Sequence, residues 1–220
     1  MNGNTNKAPI FAISRLRMET DGSGITTLVA FMGCPLRCKY CLNEKCHEPI
    51  YADNGSDLRK DIMMLTPQKL YDLVKIDHIY FQATDGGICF GGGEPTLYPE
   101  FIEEFANICN EKWKITIETS LHCSIETIRR LSKVVDYWIV DIKSLDPEIY
   151  FSYTCVSPVV EQHLAILKQC VSNEQVMIKV PIIPGYNNDG NVDRSIEDIK
   201  KRFGFTNVVK TIYITEHSKK

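Results

Sequence analysis

Ile25-Thr26-Thr27-Leu28-Val29-Ala30-Phe31-Met32-Gly33-Cys34-Pro35-Leu36-Arg37-Cys38-Lys39-Tyr40-Cys41-Leu42-Asn43 carries two readings at once. Residues 25–32 are apolar and β-branched, which predicts a buried strand. At its carboxyl end that strand delivers a loop whose cysteines stand three and then two residues apart. Such a loop can wrap an iron–sulfur cube. A four-iron cluster normally takes four thiolates, one per iron, so a three-cysteine cradle leaves one iron open to another ligand. Two other readings stay open on the loop alone: a closed zinc site completed by Cys46 or His47, and a chance cluster of free thiols.

Working outward, strands and helices alternate. Thr66-Pro67 reads as the N-cap and first position of a helix over 68–75. Predicted strands at 88–90, 113–118, 137–141, 175–181 and 208–215 are separated by helices at 99–110, 124–133, 147–153 with 160–171, and 192–202. This spacing implies parallel pairing through crossover helices, and about six units fall short of the eight that close a full barrel. The expected fold is therefore α/β, a partial (β/α)6 TIM-type barrel open on one side. It is read as one domain over residues 1–220, with the cysteine loop at 33–43 and a polar loop at 47–65.

Ligands in such folds sit at the carboxyl ends of the strands, and the distinctive polar and glycine-rich segments fall there. They are the cysteine loop, Gly91-Gly92-Gly93-Glu94-Pro95, Glu118-Thr119-Ser120, Asp141-Ile142-Lys143, Pro184-Gly185-Tyr186-Asn187 and His217. Without a Cβ, glycines let a ligand reach backbone N–H and C=O groups. An open iron beside such an edge suits an amino acid that chelates the metal through its amine and carboxylate.

Composition narrows the classes. The chain has 220 residues and a net charge of -3, which offers no basic field for nucleic acid. No apolar window approaches membrane-span length and the Asn-rich amino terminus lacks a signal-peptide core, so a cytoplasmic protein with no membrane partner is expected. Cys46, Cys89, Cys109, Cys123, Cys155 and Cys170 show no paired spacing. In a reducing compartment they read as free thiols.

These residues resemble the radical S-adenosylmethionine superfamily, and within it the glycyl-radical-enzyme activating enzymes related to pyruvate formate-lyase activase. The similarity rests on Cys34-Pro35-Leu36-Arg37-Cys38-Lys39-Tyr40-Cys41, with an aromatic before the third cysteine, and on Asp21-Gly22-Ser23-Gly24-Ile25 upstream. Gly92-Gly93-Glu94, Asp141 with Lys143, Val180-Pro181-Ile182-Ile183-Pro184-Gly185 and His217 match in order. The resemblance implies that Cys34, Cys38 and Cys41 hold one [4Fe-4S] cluster and carry the chemistry. Cofactor contacts would come from Tyr40, Leu42, Gly92, Gly93, Glu94, Asp141, Lys143 and His217 around S-adenosylmethionine. It further implies a glycyl radical enzyme as protein substrate, flavodoxin or ferredoxin as electron donor, and a monovalent cation at Glu118, Thr119 and Asp141. The stretch from Cys46 to Thr66 is too short and cysteine-poor for additional ferredoxin-type clusters. Ser120-Leu121 replaces the Asn-Gly usual in this family's turn, Thr26 and Leu42 also depart from its pattern, and the partner is left open. The rival readings are a radical enzyme modifying a peptide or metabolite, and a noncatalytic iron–sulfur or metal-stabilised module.

Overall fold

The computed structural model describes residues 6–18, 21–52, 55–110 and 112–212. Its strands are β1 (Ala8–Met18), β2 (Ile25–Phe31), β3 (Met63–Leu65), β4 (Gly87–Gly92), β5 (Lys114–Thr119), β6 (Tyr137–Asp141), β7 (Val176–Ile182) and β8 (Val208–Ile212). They form one sheet in the order β3-β1-β2-β4-β5-β6-β7-β8. From β2 to β8 every pairing is parallel, giving the six-stranded partial barrel expected, unclosed.

Two antiparallel strands extend this array. β1 pairs with β2, and β3 with β1. Neither was expected, and β3 falls inside the segment read as a polar loop over 47–65. The expected last strand, 208–215, is described only to Ile212.

The helices are α1 (Pro67–Val74), α2 (His78–Thr84), α3 (Pro99–Cys109), α4 (Ile125–Leu131), α5 (Pro147–Thr154), α6 (Val160–Cys170) and α7 (Asp189–Asp198). Thr66 caps α1 as expected, its hydroxyl accepting from Lys69 N–H at 3.2 Å. Sequence reading missed α2, and α7 starts three residues earlier than the predicted 192, where Asn188 and Asn191 form reciprocal caps. A π-turn, Ile199–Phe203, then continues α7.

One sheet face is sealed by these helices. Ile88, Phe90, Ile115, Ile117, Trp138, Val140, Ile178 and Val180 pack there against Phe101, Ile102, Phe105, Ile128, Leu131, Leu164 and Val192. Phe31 and Phe101 meet edge-on at 5.5 Å, as do Phe90 and Phe105 at 5.4 Å, and each such pair adds about 0.5–1.5 kcal/mol beyond area burial. Strand alternation turns Cys89, Gly91, Thr116, Glu118, Ile139, Asp141 and Lys179 to the opposite face. That inner face carries the polar chemistry, and the strand ends above it carry the site. Among the described residues no helix is long and apolar enough to cross a membrane.

Candidate active site

The cysteine loop is fastened by backbone hydrogen bonds at several points. Gly33 N–H donates to Cys46 C=O at 2.8 Å, Glu94 N–H donates to Gly33 C=O at 2.8 Å, and Gly93 N–H donates to Phe31 C=O at 2.9 Å. On the far side, Arg37 N–H donates to Thr154 C=O at 2.8 Å and Lys39 N–H to Tyr153 C=O at 3.1 Å. The C-terminal end of α5 thus holds the loop over the strand ends.

Beneath it lies a cavity of about 190 Å3 lined by Cys34, Cys38, Cys41, Gly92, Gly93, Asp141 and Lys143. Tyr40, Leu42 and Glu94 also line it. Ten of the eleven residues singled out from the sequence therefore converge on one space. The eleventh, His217, lies outside the described residues.

Burial differentiates the thiols. It pushes Cys38 up to about 12, against a lowering by nearby Lys143. Cys41 is held down at about 6, chiefly by a hydrogen bond from Cys46, and Cys34 is lowered by the same neighbour. Cys46 is correspondingly raised by its bonds to Cys34 and Cys41. It is buried, with 2% exposure, and does not line the cavity.

The glycines at the end of β4 have specific causes. Gly92 has φ +85, a left-handed conformation that L side chains rarely adopt, and an added Cβ would lie 2.6 Å from Ala30 Cβ. At Gly93 an added Cβ would lie 2.1 Å from Gly33 C=O. These positions let β4 and the cysteine loop close on one another while leaving peptide groups at the cavity wall.

Glu94 is a hub of this junction. Its Oε1 accepts from Thr96 Oγ1 and Thr119 Oγ1, both at 2.7 Å, and its Oε2 from Ser120 N–H at 2.9 Å and Ser120 Oγ at 2.6 Å. With both oxygens engaged, this carboxylate ties β4 to β5. Asp141 differs: its Oδ2 accepts from Lys143 Nζ at 2.6 Å, whereas the buried Oδ1 has no partner among the described residues. A buried polar atom is normally satisfied, so an unpaired carboxylate oxygen at this wall fits a site built for a donor-bearing ligand. Three thiols in one loop fit a cluster, and a lysine ammonium fits a carboxylate. The residues present are suited to a cluster and an amino-acid cofactor together.

Some site residues carried no local signal. Tyr153 lines the cavity from α5, and its hydroxyl donates to Tyr40 C=O at 3.2 Å. Tyr40, Tyr153 and Tyr186 form an aromatic group with centroids 5.2–6.3 Å apart. Only tertiary packing brings them together. Glu118, expected as a cation ligand, faces Lys179 Nζ at 3.1 Å.

The Radical SAM superfamily model matches residues 28–201, which run from β2 through the parallel strands to β7 and include the cysteine-bearing loop at their ends. The chain belongs to the radical SAM superfamily, whose members use a [4Fe-4S] cluster and S-adenosylmethionine. Among curated relatives, a (2S)-3-sulfopropanediol dehydratase activating enzyme of Klebsiella oxytoca is 26% identical, over 89% of this chain and 78% of its own. A pyruvate formate-lyase-activating enzyme of Clostridium pasteurianum is 28% identical, over 87% and 72%. Among solved structures, QueE from Escherichia coli superposes with a TM-score of 0.55 at 13% identity, over 96% of this chain and 86% of that one, a likeness of fold.

Proposed function

We propose that this protein cleaves S-adenosylmethionine reductively and directs the resulting radical at the α-hydrogen of a glycine in a partner protein, activating a glycyl radical enzyme. The observation that carries the reading is the convergence of three loop thiols, the Gly92–Gly93 edge and the Asp141–Lys143 pair on one cavity. That the two relatives described above are activating enzymes supports the choice of partner.

In this reading Cys34, Cys38 and Cys41 hold the cluster. Lys143 pairs with the cofactor carboxylate, and the Gly92 and Gly93 peptide groups meet its ammonium. Tyr40 and Leu42 flank the adenosyl portion. When bound, cluster and cofactor supply one-electron cleavage of a sulfonium carbon–sulfur bond, yielding methionine and a 5′-deoxyadenosyl radical. The chain's own work is positioning and exclusion of water, because hydrogen-atom abstraction needs no side-chain acid or base. That chemistry would take the α-hydrogen from the partner's glycine and leave the unpaired electron there. A flavodoxin or ferredoxin supplies the single electron, in a cytoplasm where the thiols stay reduced.

The test is electron paramagnetic resonance on the anaerobically reconstituted protein with reductant, S-adenosylmethionine and a glycyl-radical-type partner. A doublet from a backbone glycyl radical is expected. Cleavage to 5′-deoxyadenosine with every such partner silent, and a peptide or metabolite altered instead, overturns the choice of substrate.

A further inference from the structure

Cys46 and His47 are metal-ligating side chains for which the proposed reaction has no use. They sit on a short 3-10 turn, Glu44–His47, and neither lines the cavity. The donor atoms of Cys41, Cys46 and His47 nevertheless all lie within 4.8 Å of one another. A tetrahedral zinc ion with bonds of roughly 2.0–2.3 Å draws its ligand atoms about this close. A cube keeps its thiolates on separate irons, and so farther apart. Cys34 lies outside this group of three, but its thiol is hydrogen-bonded to Cys46, and it supplies the fourth ligand by turning toward the others.

We propose that the cluster-free protein binds one zinc ion through Cys34, Cys41, Cys46 and His47, and that zinc and the iron–sulfur cluster exclude each other because both require Cys34 and Cys41. Three thiolates and one imidazole form a closed structural zinc set. Binding releases the thiol protons to solvent. The zinc form keeps the loop folded and its thiols unoxidised, and it holds the protein inactive until a cluster is delivered.

Arg37 opposes this state. Its Nη1 donates to His47 Nδ1. Metal on Nδ1 displaces that bond, while metal on Nε2 moves the ring proton to Nδ1, where it faces the guanidinium. Either way zinc has to part His47 from Arg37, so removing the guanidinium tightens the site.

The full-length protein, stripped anaerobically with chelator and reductant, is titrated with Co2+ and then Zn2+. One Co2+ per chain is expected, with tetrahedral d–d bands and thiolate charge-transfer bands that zinc abolishes. Cys46→Ser and His47→Ala should weaken zinc by at least the roughly 10–100-fold that loss of a supporting partner alone costs. Arg37→Ala should strengthen it, and Cys38→Ala should leave it unchanged. Reconstitution with iron and sulfide should invert the order: Cys38→Ala abolishes the cluster, and Cys46→Ser retains it. Circular dichroism of each variant checks folding. Zinc binding that depends on Cys38 and ignores Cys46, or cobalt bound without thiolate bands, overturns the proposal. Since the readout is metal binding, it stands apart from whether the protein proves to act on a glycyl radical enzyme.

Discussion

Lys179 Nζ on β7 lies 3.1 Å from Glu118 Oε1 on β5, reaching across the inner face of the intervening strand β6. The positive charge that a monovalent cation would bring to Glu118 is supplied by the chain itself. Cofactor cleavage by the wild-type protein should therefore run equally well in potassium and tetramethylammonium buffers. Lys179→Met, which leaves Glu118 without this partner, should be slow in tetramethylammonium and recover on adding potassium. A wild-type potassium requirement would refute this account of the pair.

The loop thiols should differ in reactivity when the protein is metal-free. Cys41 is held down to about 6 by its hydrogen bond from Cys46, and Cys38 is raised to about 12 by burial. The thiolate is the nucleophile, so iodoacetamide should label Cys41 increasingly as pH rises through 6, while Cys38 stays unlabelled to strongly alkaline pH. A depressed thiol favours the fold above its ordinary value and loses that contribution as pH falls towards 6. Peptide mapping by mass spectrometry reads the order directly. Equal labelling of Cys38 and Cys41 at pH 7 contradicts it.

Lys143 should separate cofactor affinity from cluster assembly. Lys143→Ala keeps all three loop thiols and should hold a full complement of iron. Loss of one charge-assisted contact, worth about 1.5–3 kcal/mol, should raise the Kd for S-adenosylmethionine by about 10–150-fold. Equilibrium binding to the reconstituted variant measures it, and unchanged affinity removes Lys143 from the cofactor site.

Leu121 occupies the position where the family turn commonly has glycine, and it pays a conformational penalty there, with φ 57 and a fully buried side chain. The left-handed backbone costs a residue with a Cβ roughly 1–2 kcal/mol. Truncating a buried leucine to alanine costs about 2–5 kcal/mol. Leu121→Ala loses the packing and keeps the strain, whereas Leu121→Gly loses the packing and sheds the strain. The glycine variant should thus be the more stable of the two, by about 1 kcal/mol, the reverse of their order in a helix. Denaturant unfolding of both variants decides.

The parallel strands were legible because strands buried in such sheets are short apolar runs, and here glycine, proline or polar turns punctuate them. The same punctuation put Gly92, Gly93, Asp141 and Lys143 at strand ends before any contact was known. β1 escaped for physical reasons: it contains Pro9, and its register with β2 breaks between Ile10 and Ala12 and again between Ser14 and Arg17, which erases a clean period of two. Three residues of β3 have no measurable period. α2 follows α1 through a 3-10 turn with neither glycine nor proline to mark a new element. Tyr153 and Tyr186 join Tyr40 only because α5 and the turn after β7 fold over the loop, information that no local pattern contains.

The bond from Gly33 N–H to Cys46 C=O turns residues 33–46 into a closed hoop, and Glu94 N–H pins that hoop to β4. A hoop has a fixed circumference. One inserted or deleted residue between 34 and 45 cannot be absorbed at the join and has to displace a thiol. Beyond the hoop, an antiparallel bridge joins Tyr51 to Leu58, and extra length in a surface loop closed in this way costs little. Transplanting the cysteine loop onto another scaffold therefore means carrying the whole hoop through Cys46, together with a backbone carbonyl acceptor for Gly93 and a glycine to lie against. Moving the three cysteines alone transfers the ligands without the geometry that spaces them.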